Sequence, residues 1–397
     1  MVPVTKIDIP SSKSITNRLL ILQQYKNYHI KINNISVSAD SILLQKCLLQ
    51  ISQPTSSPFV FVDNCGTAFR FLCAYLSFRT GEWILDGSPR LRQRPIAPLV
   101  EAINNAGGEI YYMEKIGFAP LKIIGKQWHT NSFTIDSAMS SQFVSALMLC
   151  LPFNACNARI VFDKRIPSFQ YINLSLKLMS HIGLNIQYHD GAIHYQHSNK
   201  LIQTHINVEA DWSSAAFWYL YVALTNKPLF INKLTKSDIQ PDAQMVPVMK
   251  DLGVTTTFNN QGVLIEKTKS IPQNIEIDCI NNPDWVPVLV TLCVGEQTQA
   301  RLFNTKNLQF KESNRIEVLQ KELAPFATLT WKNDYLTIKP HTKTFPHQHF
   351  FHSYSDHRIV MALAMLKHQI PHIEFDDKQC VKKSYPDFWK YYNQLTW

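Results

Sequence analysis

Apolar and polar residues alternate from Val4 to Ile9, the period of two expected of a strand with one buried face. The stretch Pro10 to Arg18 follows, and then the unbroken apolar run Leu19 to Leu22, which predicts a helix. This order of strand, polar junction and apolar helix recurs along the chain. A strand around Ile30 to Ile35 comes next, then a second helix from Ser41, for which Asp40 or Ser38 is a suitable N-cap. Gln53 to Pro58 reads as a loop by composition. Phe59 to Val62 predicts a strand and Phe71 to Leu76 a helix, with Thr67 as its cap. Ile84 to Asp86 predicts a strand that ends in a turn, and Pro95 opens a helix from Ile96 to Ala106. Later helices are predicted over Phe143 to Leu151, over residues 172–182, from Pro241 toward Gly253, and from Pro283 through Leu292.

Three of these helices end alike. Each runs into a glycine and then a strand, at Gly107-Gly108, Gly183 and Gly253, as a glycine C-cap requires. A copy without glycine runs from Val318 to Leu329. Spacings of roughly seventy residues mark one supersecondary unit used several times. Strands alternating with helices predict α/β architecture, and 397 residues suffice for two domains with separate cores.

Charge narrows the function. The chain carries 39 basic and 30 acidic residues, a formal net charge of +9, which favours anionic partners. The basic residues are scattered, with groups no longer than Asp163-Lys164-Arg165 or Lys382-Lys383, unlike the clustered surface of a nucleic-acid binder. Eight cysteines without a C-x-x-C spacing read as reduced, buried thiols. No signal peptide opens the chain, and apolar runs such as Val286 to Val294 fall short of the roughly 20 residues a bilayer span needs. The expectation is a cytoplasmic protein that binds neither membrane nor nucleic acid. His347-Gln348-His349 lacks a carboxylate or cysteine at ligand spacing, so no metal site is assigned there.

The polar junctions hold the candidate chemistry. Ser11-Ser12-Lys13-Ser14 and Arg18 lie where a strand meets a helix N-terminus. Unpaired N–H groups and the helix dipole favour an anion at such a place. Asn64 to Arg70 repeats the design, with Gly66 allowing close approach to the backbone. Arg90, Arg92 and Arg94 fall within five positions. Ser140, Ser141 and Gln142 head another helix, and Ser168 and Tyr171 precede a fourth. Glu209 to Ser214 supplies a fifth, whose acidic residues suit capping rather than anion binding. In the second half Asp284 opens an apolar helix, and Asn307, Lys311, Glu312 and Arg315 fall within nine positions. Asp356-His357-Arg358 and Lys383 complete the series. Taken singly, each is also what a capped helix with solvated cations looks like. Together, six cations (Lys13, Arg18, Arg94, Arg315, Arg358, Lys383) with Asp284 and Glu312 among them suit a substrate pair bearing phosphates and carboxylates, with a general base and a general acid at hand.

In order and over almost its whole length, the chain resembles the 5-enolpyruvylshikimate-3-phosphate synthase family of enolpyruvyl transferases. The motifs are Ser12-Lys13-Ser14-x-x-Asn17-Arg18, Asn64-x-Gly66-Thr67-Ala68-x-Arg70, Pro89-Arg90-x-x-x-Arg94-Pro95-Ile96, Ser140-Ser141-Gln142-Phe143 and Ser168-x-x-Tyr171. They continue with Pro283-Asp284, Asn307 through Lys311-Glu312-x-x-Arg315, Asp356-His357-Arg358 and Lys383-x-x-Pro386-Asp387. The resemblance implies two similar α/β domains, each of three βαβαββ-type repeats, with the active site in the cleft between them. It assigns residues 1–11 plus 210–397 to the first domain and 12–209 to the second, with hinge crossings near Ser11-Ser12 and Glu209–Asp211. It implies a monomer without metal or organic cofactor.

The implied reaction moves the enolpyruvyl group of phosphoenolpyruvate to the 5-hydroxyl of shikimate 3-phosphate through a tetrahedral intermediate. By motif position, Ser14 and Arg18 hold the shikimate carboxylate. Ser140, Ser141 and Ser168 hold its phosphate, and Tyr171 lines that site. Lys13, Asp284, Asn307 and Lys311 also meet this substrate, Asp284, Asn307 and Lys311 at the ring hydroxyls. Lys13, Gly66, Arg94, Gln142, Arg315, Arg358 and Lys383 surround phosphoenolpyruvate. Asp284, Glu312 and Lys13 are the catalytic candidates. Ser11, Cys65, Ala210, Asn314 and Ser355 depart from the family's usual residues. The sibling transferase acting on UDP-N-acetylglucosamine fits less well: it usually has Lys-Asn at Lys13-Ser14, and a cysteine in the arginine loop that is absent between Asp86 and Pro95. A non-catalytic anion-binding relative is the other alternative.

Overall fold

The computed structural model describes residues 4–53, 58–136, 140–154, 156–162, 166–198, 200–341 and 344–397. Most of the predicted loop 53–58, together with Met139 and the cluster Asp163-Lys164-Arg165, therefore lies outside the described residues.

In chain order the elements are β1 (Thr5–Ile7), α1 (Lys13–Leu22), β2 (Tyr28–Asn33), α2 (Ala39–Ser52), β3 (Phe59–Phe61), α3 (Gly66–Phe78), β4 (Gly81–Asp86), α4 (Ala97–Asn105), β5 (Glu109–Tyr112) and β6 (Leu121–Gly125). Then come β7 (Ser132–Ile135), α5 (Ser141–Cys150), β8 (Ala158–Phe162), α6 (Phe169–His181), β9 (Asn185–His189), β10 (Ala192–Gln196) and β11 (Ile202–Asn207). The remainder comprises α7 (Trp212–Thr225), β12 (Leu229–Asn232), α8 (Met245–Asp251), β13 (Val254–Asn259), β14 (Gly262–Lys267), β15 (Asn274–Asp278), α9 (Val286–Gly295), β16 (Gln299–Phe303) and α10 (Arg315–Glu322). It closes with β17 (Ala327–Lys332), β18 (Tyr335–Pro340), β19 (Gln348–Phe351), α11 (His357–Ala364), β20 (His372–Phe375) and α12 (Phe388–Tyr392).

Two compact units emerge. Residues 1–12, 37–39 and 209–397 form the first, and residues 13–36 and 40–208 the second. Four sheets share one pattern, a parallel pair followed by an antiparallel hairpin: β3-β4-β6-β5 and β7-β8-β10-β9 in the second unit, β1-β12-β14-β13 and β15-β16-β18-β17 in the first. The third repeat of each unit is shorter among the described residues. The parallel pairs β11-β2 and β19-β20 stand as two-stranded sheets. In the second unit the reason is chain length: α2 ends at Ser52 and β3 begins at Phe59, which leaves no room for a hairpin.

Each unit is built around three helices. In the first, α7, α9 and α11 pack on one another. Every residue from Trp212 to Thr225 is buried, as is His357 to Ala364. A helix apolar on all sides must be enclosed on all sides, and the sheets do this. In the second unit α1, α3 and α5 take that place. The glycine C-caps form as expected, with Gly107, Gly183 and Gly253 all at positive φ (95°, 96° and 85°), where a β-carbon is strained.

Between β1 and α1 and between β11 and α7 the chain passes the same point twice. Ser11 and Ala210 form an antiparallel bridge, flanked by Ser12 N–H donating to the Glu209 carbonyl (2.8 Å) and Asp211 N–H to that of Pro10 (2.8 Å). Buried Gln240 staples the second passage, donating from Nε2 to the Ala210 carbonyl (2.8 Å) and accepting the Trp212 N–H (3.0 Å). Among the described residues no helix is long and apolar enough to cross a membrane.

Candidate active site

In the second unit the N-terminal turns of α3 and α5 come together. Gln142, second in α5, donates to Thr67 Oγ1, second in α3 (3.3 Å), and accepts from Arg70 Nη1 (2.7 Å). Ser140 caps α5, its Oγ accepting the Gln142 N–H (3.3 Å), and Ser141 is buried behind it. Helix α3 is capped by Cys65, whose Sγ accepts from Ala68 N–H (3.4 Å). Thr67 is thus not the cap, because the helix starts at Gly66 and carries its hydroxyl inside the first turn, toward Gln142. Likewise α2 starts at Ala39, which places Asp40 inside the helix.

Arg18 is the most telling side chain of this unit. It is 2 % exposed. Its Nε donates to Ser175 Oγ (2.7 Å), Nη2 to Ser145 Oγ (3.3 Å) and the Tyr171 carbonyl (3.2 Å), and Nη1 to the Ser14 carbonyl (2.9 Å). All these acceptors are neutral. Burial pulls the guanidinium down to about 10, which nearby Tyr171 only partly opposes. Burying a cation costs several kcal/mol without a countercharge, so the protein holds Arg18 at a cost that an anionic ligand would offset.

Lys13 opens α1, where a cation opposes the helix dipole. Asp40 Oδ2 at 3.0 Å offsets this. Ser168 precedes α6 in the left-handed conformation (φ 62°) and makes no capping bond with its side chain, while its carbonyl accepts the Tyr171 N–H (2.9 Å). The three arginines of residues 90–94 separate. Arg92 pairs with Asp86 and Glu114, and Arg90 reaches Gln93 (3.1 Å). Arg94 is buried with its guanidinium against Gly66, where an added β-carbon would lie 2.6 Å from Cζ.

In the first unit the charges gather into one network. Arg315, first in α10 and 1 % exposed, donates from Nε to Asp356 Oδ2 (2.8 Å), from Nη1 to Asp284 Oδ1 (2.7 Å) and from Nη2 to Glu312 Oε2 (2.9 Å). Arg358 Nη2 approaches Asp284 Oδ2 (3.1 Å), and Lys311 Nζ lies 3.4 Å from Asp284 Oδ1. Three cations thus face three carboxylates. Local backbone geometry sets this up. Tyr354 and Ser355 both take positive φ (51° and 52°), turning the chain into α11. Asp356 then caps that helix by accepting the Arg358 N–H (3.0 Å) and also accepts from Ser313 Oγ (3.0 Å).

Asp284 lies inside its 3-10 turn, past the cap position held by Asn282; the cations claim its carboxylate. Burial pushes its pKa up, but Arg358, Lys311 and Arg315 outweigh this and hold it well below the usual carboxylate range. Burial pulls the Lys311 ammonium down, with Asp284 opposing. Arg315 is raised: burial acts against its charge, yet Asp356, Glu312 and Asp284 prevail.

Asn307 stands apart from the network, on the 3-10 turn Lys306–Phe310, with its Oδ1 buried and without a partner among the described residues. Lys383 ends another 3-10 turn, Gln379–Lys383. The Cys380 thiol is pushed up by burial and by Asp377, Asp356 and Asp376, with nearby Lys383 acting the other way. Among the described residues no group of three His, Cys, Asp or Glu is placed to hold a metal.

Several pairings lie beyond what the sequence announces, where Asp40 stood only as a cap candidate and Ser145 and Ser175 carried no role. Asp40, Ser145 and Ser175 lie 27, 127 and 157 positions from their partners. No local pattern announces such pairs. Asp356 and Arg70 did sit inside quoted motifs, and that membership was the available signal.

A family model described as EPSP synthase (3-phosphoshikimate 1-carboxyvinyltransferase) matches residues 31–391. A 3-phosphoshikimate 1-carboxyvinyltransferase of Bacteroides fragilis (strain YCH46) is 30% identical over 395 residues, covering 96% of this chain and 93% of its own. One of Buchnera aphidicola subsp. Cinara cedri is 30% identical over 415 residues, covering 97% and 93%. Among solved structures, an EPSP synthase from Acinetobacter baumannii superposes with a TM-score of 0.74 at 20% identity, covering 98% of this chain and 95% of that one. The enolpyruvyl transferase NikO from Streptomyces tendae gives 0.74 at 11% identity, covering 100% and 95%. At those identities the two structures speak for the fold.

Proposed function

The chain belongs to the EPSP synthase family, and from that premise we propose that it transfers the enolpyruvyl group of phosphoenolpyruvate to the 5-hydroxyl of shikimate 3-phosphate, releasing phosphate. The near full-length family match carries this reading. The site chemistry supports it: a buried guanidinium whose acceptors among the described residues are all neutral in one unit, and a balanced set of cations and carboxylates in the other.

Shikimate 3-phosphate takes its carboxylate to Arg18 and Ser14, and its phosphate to Ser140, Ser141 and Ser168 beside Tyr171. The Ser168 hydroxyl, which makes no capping bond, suits that task. Asp284, Lys311 and the orphaned Asn307 oxygen serve the ring hydroxyls. Phosphoenolpyruvate is held by Lys13, Arg94, Gln142, Arg315, Arg358, Lys383 and the backbone at Gly66. In the addition step Glu312 or Lys13 delivers a proton to C3, the 5-oxygen bonds to C2, and Asp284 accepts the hydroxyl proton. In the elimination step C3 returns a proton, the C2–O bond to phosphate breaks, and phosphate leaves.

The ion network gives this chemistry a trigger. Arg315 and Arg358 meet phosphoenolpyruvate by sharing themselves between its anionic groups and the carboxylates they already hold. Added negative charge there weakens their grip on Asp284, whose pKa rises toward the ordinary carboxylate range. Substrate binding thereby makes Asp284 a stronger base at the moment it is needed. The cations then stabilise the charge that accumulates on the departing phosphate.

The direct test mixes the purified protein with both substrates and follows phosphate. Release that requires both supports the proposal, and none above background would sink it. Gly66 offers a second check. Gly66→Ala forces the Arg94 guanidinium to move, because the new β-carbon would lie 2.6 Å from it. A loss of about 1.4 kcal/mol in phosphoenolpyruvate binding, roughly tenfold in its KM, is expected. Shikimate 3-phosphate affinity should stay as it was, and steady-state titration of each substrate separates the two.

A further inference from the structure

A cavity of about 610 Å³ lies in the second unit, lined by Gln24, Tyr25, Lys26, Asn27, Tyr75, Phe78, Arg79, Thr80 and Phe153. Its walls come from the C-terminal ends of α1 and α3 and from the 3-10 turn Leu151–Asn154 that follows α5. It is therefore at the opposite end of these helices from the anion-binding residues. We propose that it is a second ligand site, specific for a small aromatic carboxylate.

The ring arrangement argues for an aromatic guest. Phe153 is surrounded by Tyr75 (centroids 5.4 Å), Tyr25 (5.5 Å) and Phe78 (6.3 Å), the first two edge-on. Tyr75 is buried, but Tyr25, Phe78 and Phe153 are only half-buried. Rings gathered this closely bury one another fully in a finished core; here they keep faces and edges for a further ring to pack on. The volume falls in the range of small-molecule pockets, about 300–1,000 Å³.

The charges argue for a carboxylate. Lys26 and Arg79 line the cavity and no Asp or Glu does. Arg79 sits beside the Tyr75 hydroxyl, and among the described residues neither cation makes an ion pair. Both follow helix C-termini, where a cation complements the dipole. That explains the charges alone, but not a ring-lined space between them. Gln24, Asn27 and Thr80 add polar groups at the rim. A quaternary ammonium, the other common guest of aromatic cages, is disfavoured by the two cations.

The test is calorimetric titration of the full-length protein with 3-phenylpropionate, with propionate and 3-phenyl-1-propanol as controls. Saturable binding at millimolar concentration or tighter is expected. It should persist with phosphoenolpyruvate at saturation and fall about tenfold, the 1.4 kcal/mol of a lost charge contact, in Lys26→Gln with Arg79→Gln. Lys26→Gln alone, at an exposed side chain, should weaken binding without disturbing the fold. No saturable heat, displacement by phosphoenolpyruvate, unchanged affinity in the double variant, or equal binding of either control would overturn the assignment.

Discussion

Asp284→Ala is expected to lower turnover by about 10²–10⁴, the usual worth of a positioned general base. The carboxylate sits on the 3-10 turn Pro283–Trp285 that leads into α9, and Lys311, Arg315 and Arg358 all reach it. Removing it takes away the proton acceptor and leaves three cations to repel one another. Arg315 still keeps Glu312 and Asp356, so the fold should survive, as circular dichroism can verify. Asp284→Asn should be nearly as slow, since an amide fills the space without accepting the proton. Near-normal phosphate release from either variant would remove Asp284 from the mechanism.

The second large effect is on stability. Arg315→Met should destabilise the first unit by about 3–5 kcal/mol, the penalty for removing one partner from a buried ion pair. Arg315 is fully buried and answers three carboxylates, of which Asp356 is itself completely buried. Without the guanidinium, Asp356 keeps only the Ser313 hydroxyl and the Arg358 N–H among the described residues, which do not neutralise it. Arg315→Lys should recover only part of the loss, because an ammonium cannot present the forked geometry that three carboxylates use here. Denaturant unfolding followed by tryptophan fluorescence would show this, and an unmoved midpoint would contradict the hub role.

How far these features could be read from the chain depends on their range. The glycine caps at residues 107, 183 and 253 were legible, because a helix end is a local event that only a few residues govern. The junctions bearing Lys13 and Gly66 were legible as strand-to-helix transitions, and those bearing Ser140, Asp284 and Asp356 as helix starts, for the same reason. Their partners were not. Lys13 finds Asp40 and Arg18 finds Ser175 only after the chain has folded back. The Cys65 cap was missed since sulfur is a poor acceptor and Thr67 a good one; where the helix begins decided between them. The shortened third repeats went unseen because the resemblance carried three full copies per domain, and only the short interval between α2 and β3 betrays the loss.

The double passage at Ser11 and Ala210 has a consequence for synthesis on the ribosome. Strand β1 emerges first, yet its sheet partner β12 is made more than two hundred residues later. The second unit, complete by Val208, can fold while β1 still waits unpaired. The first unit closes only once the carboxy-terminal half arrives to collect it. The order in which the ribosome releases the chain thus leaves β1 without its sheet partner until β12 has been made.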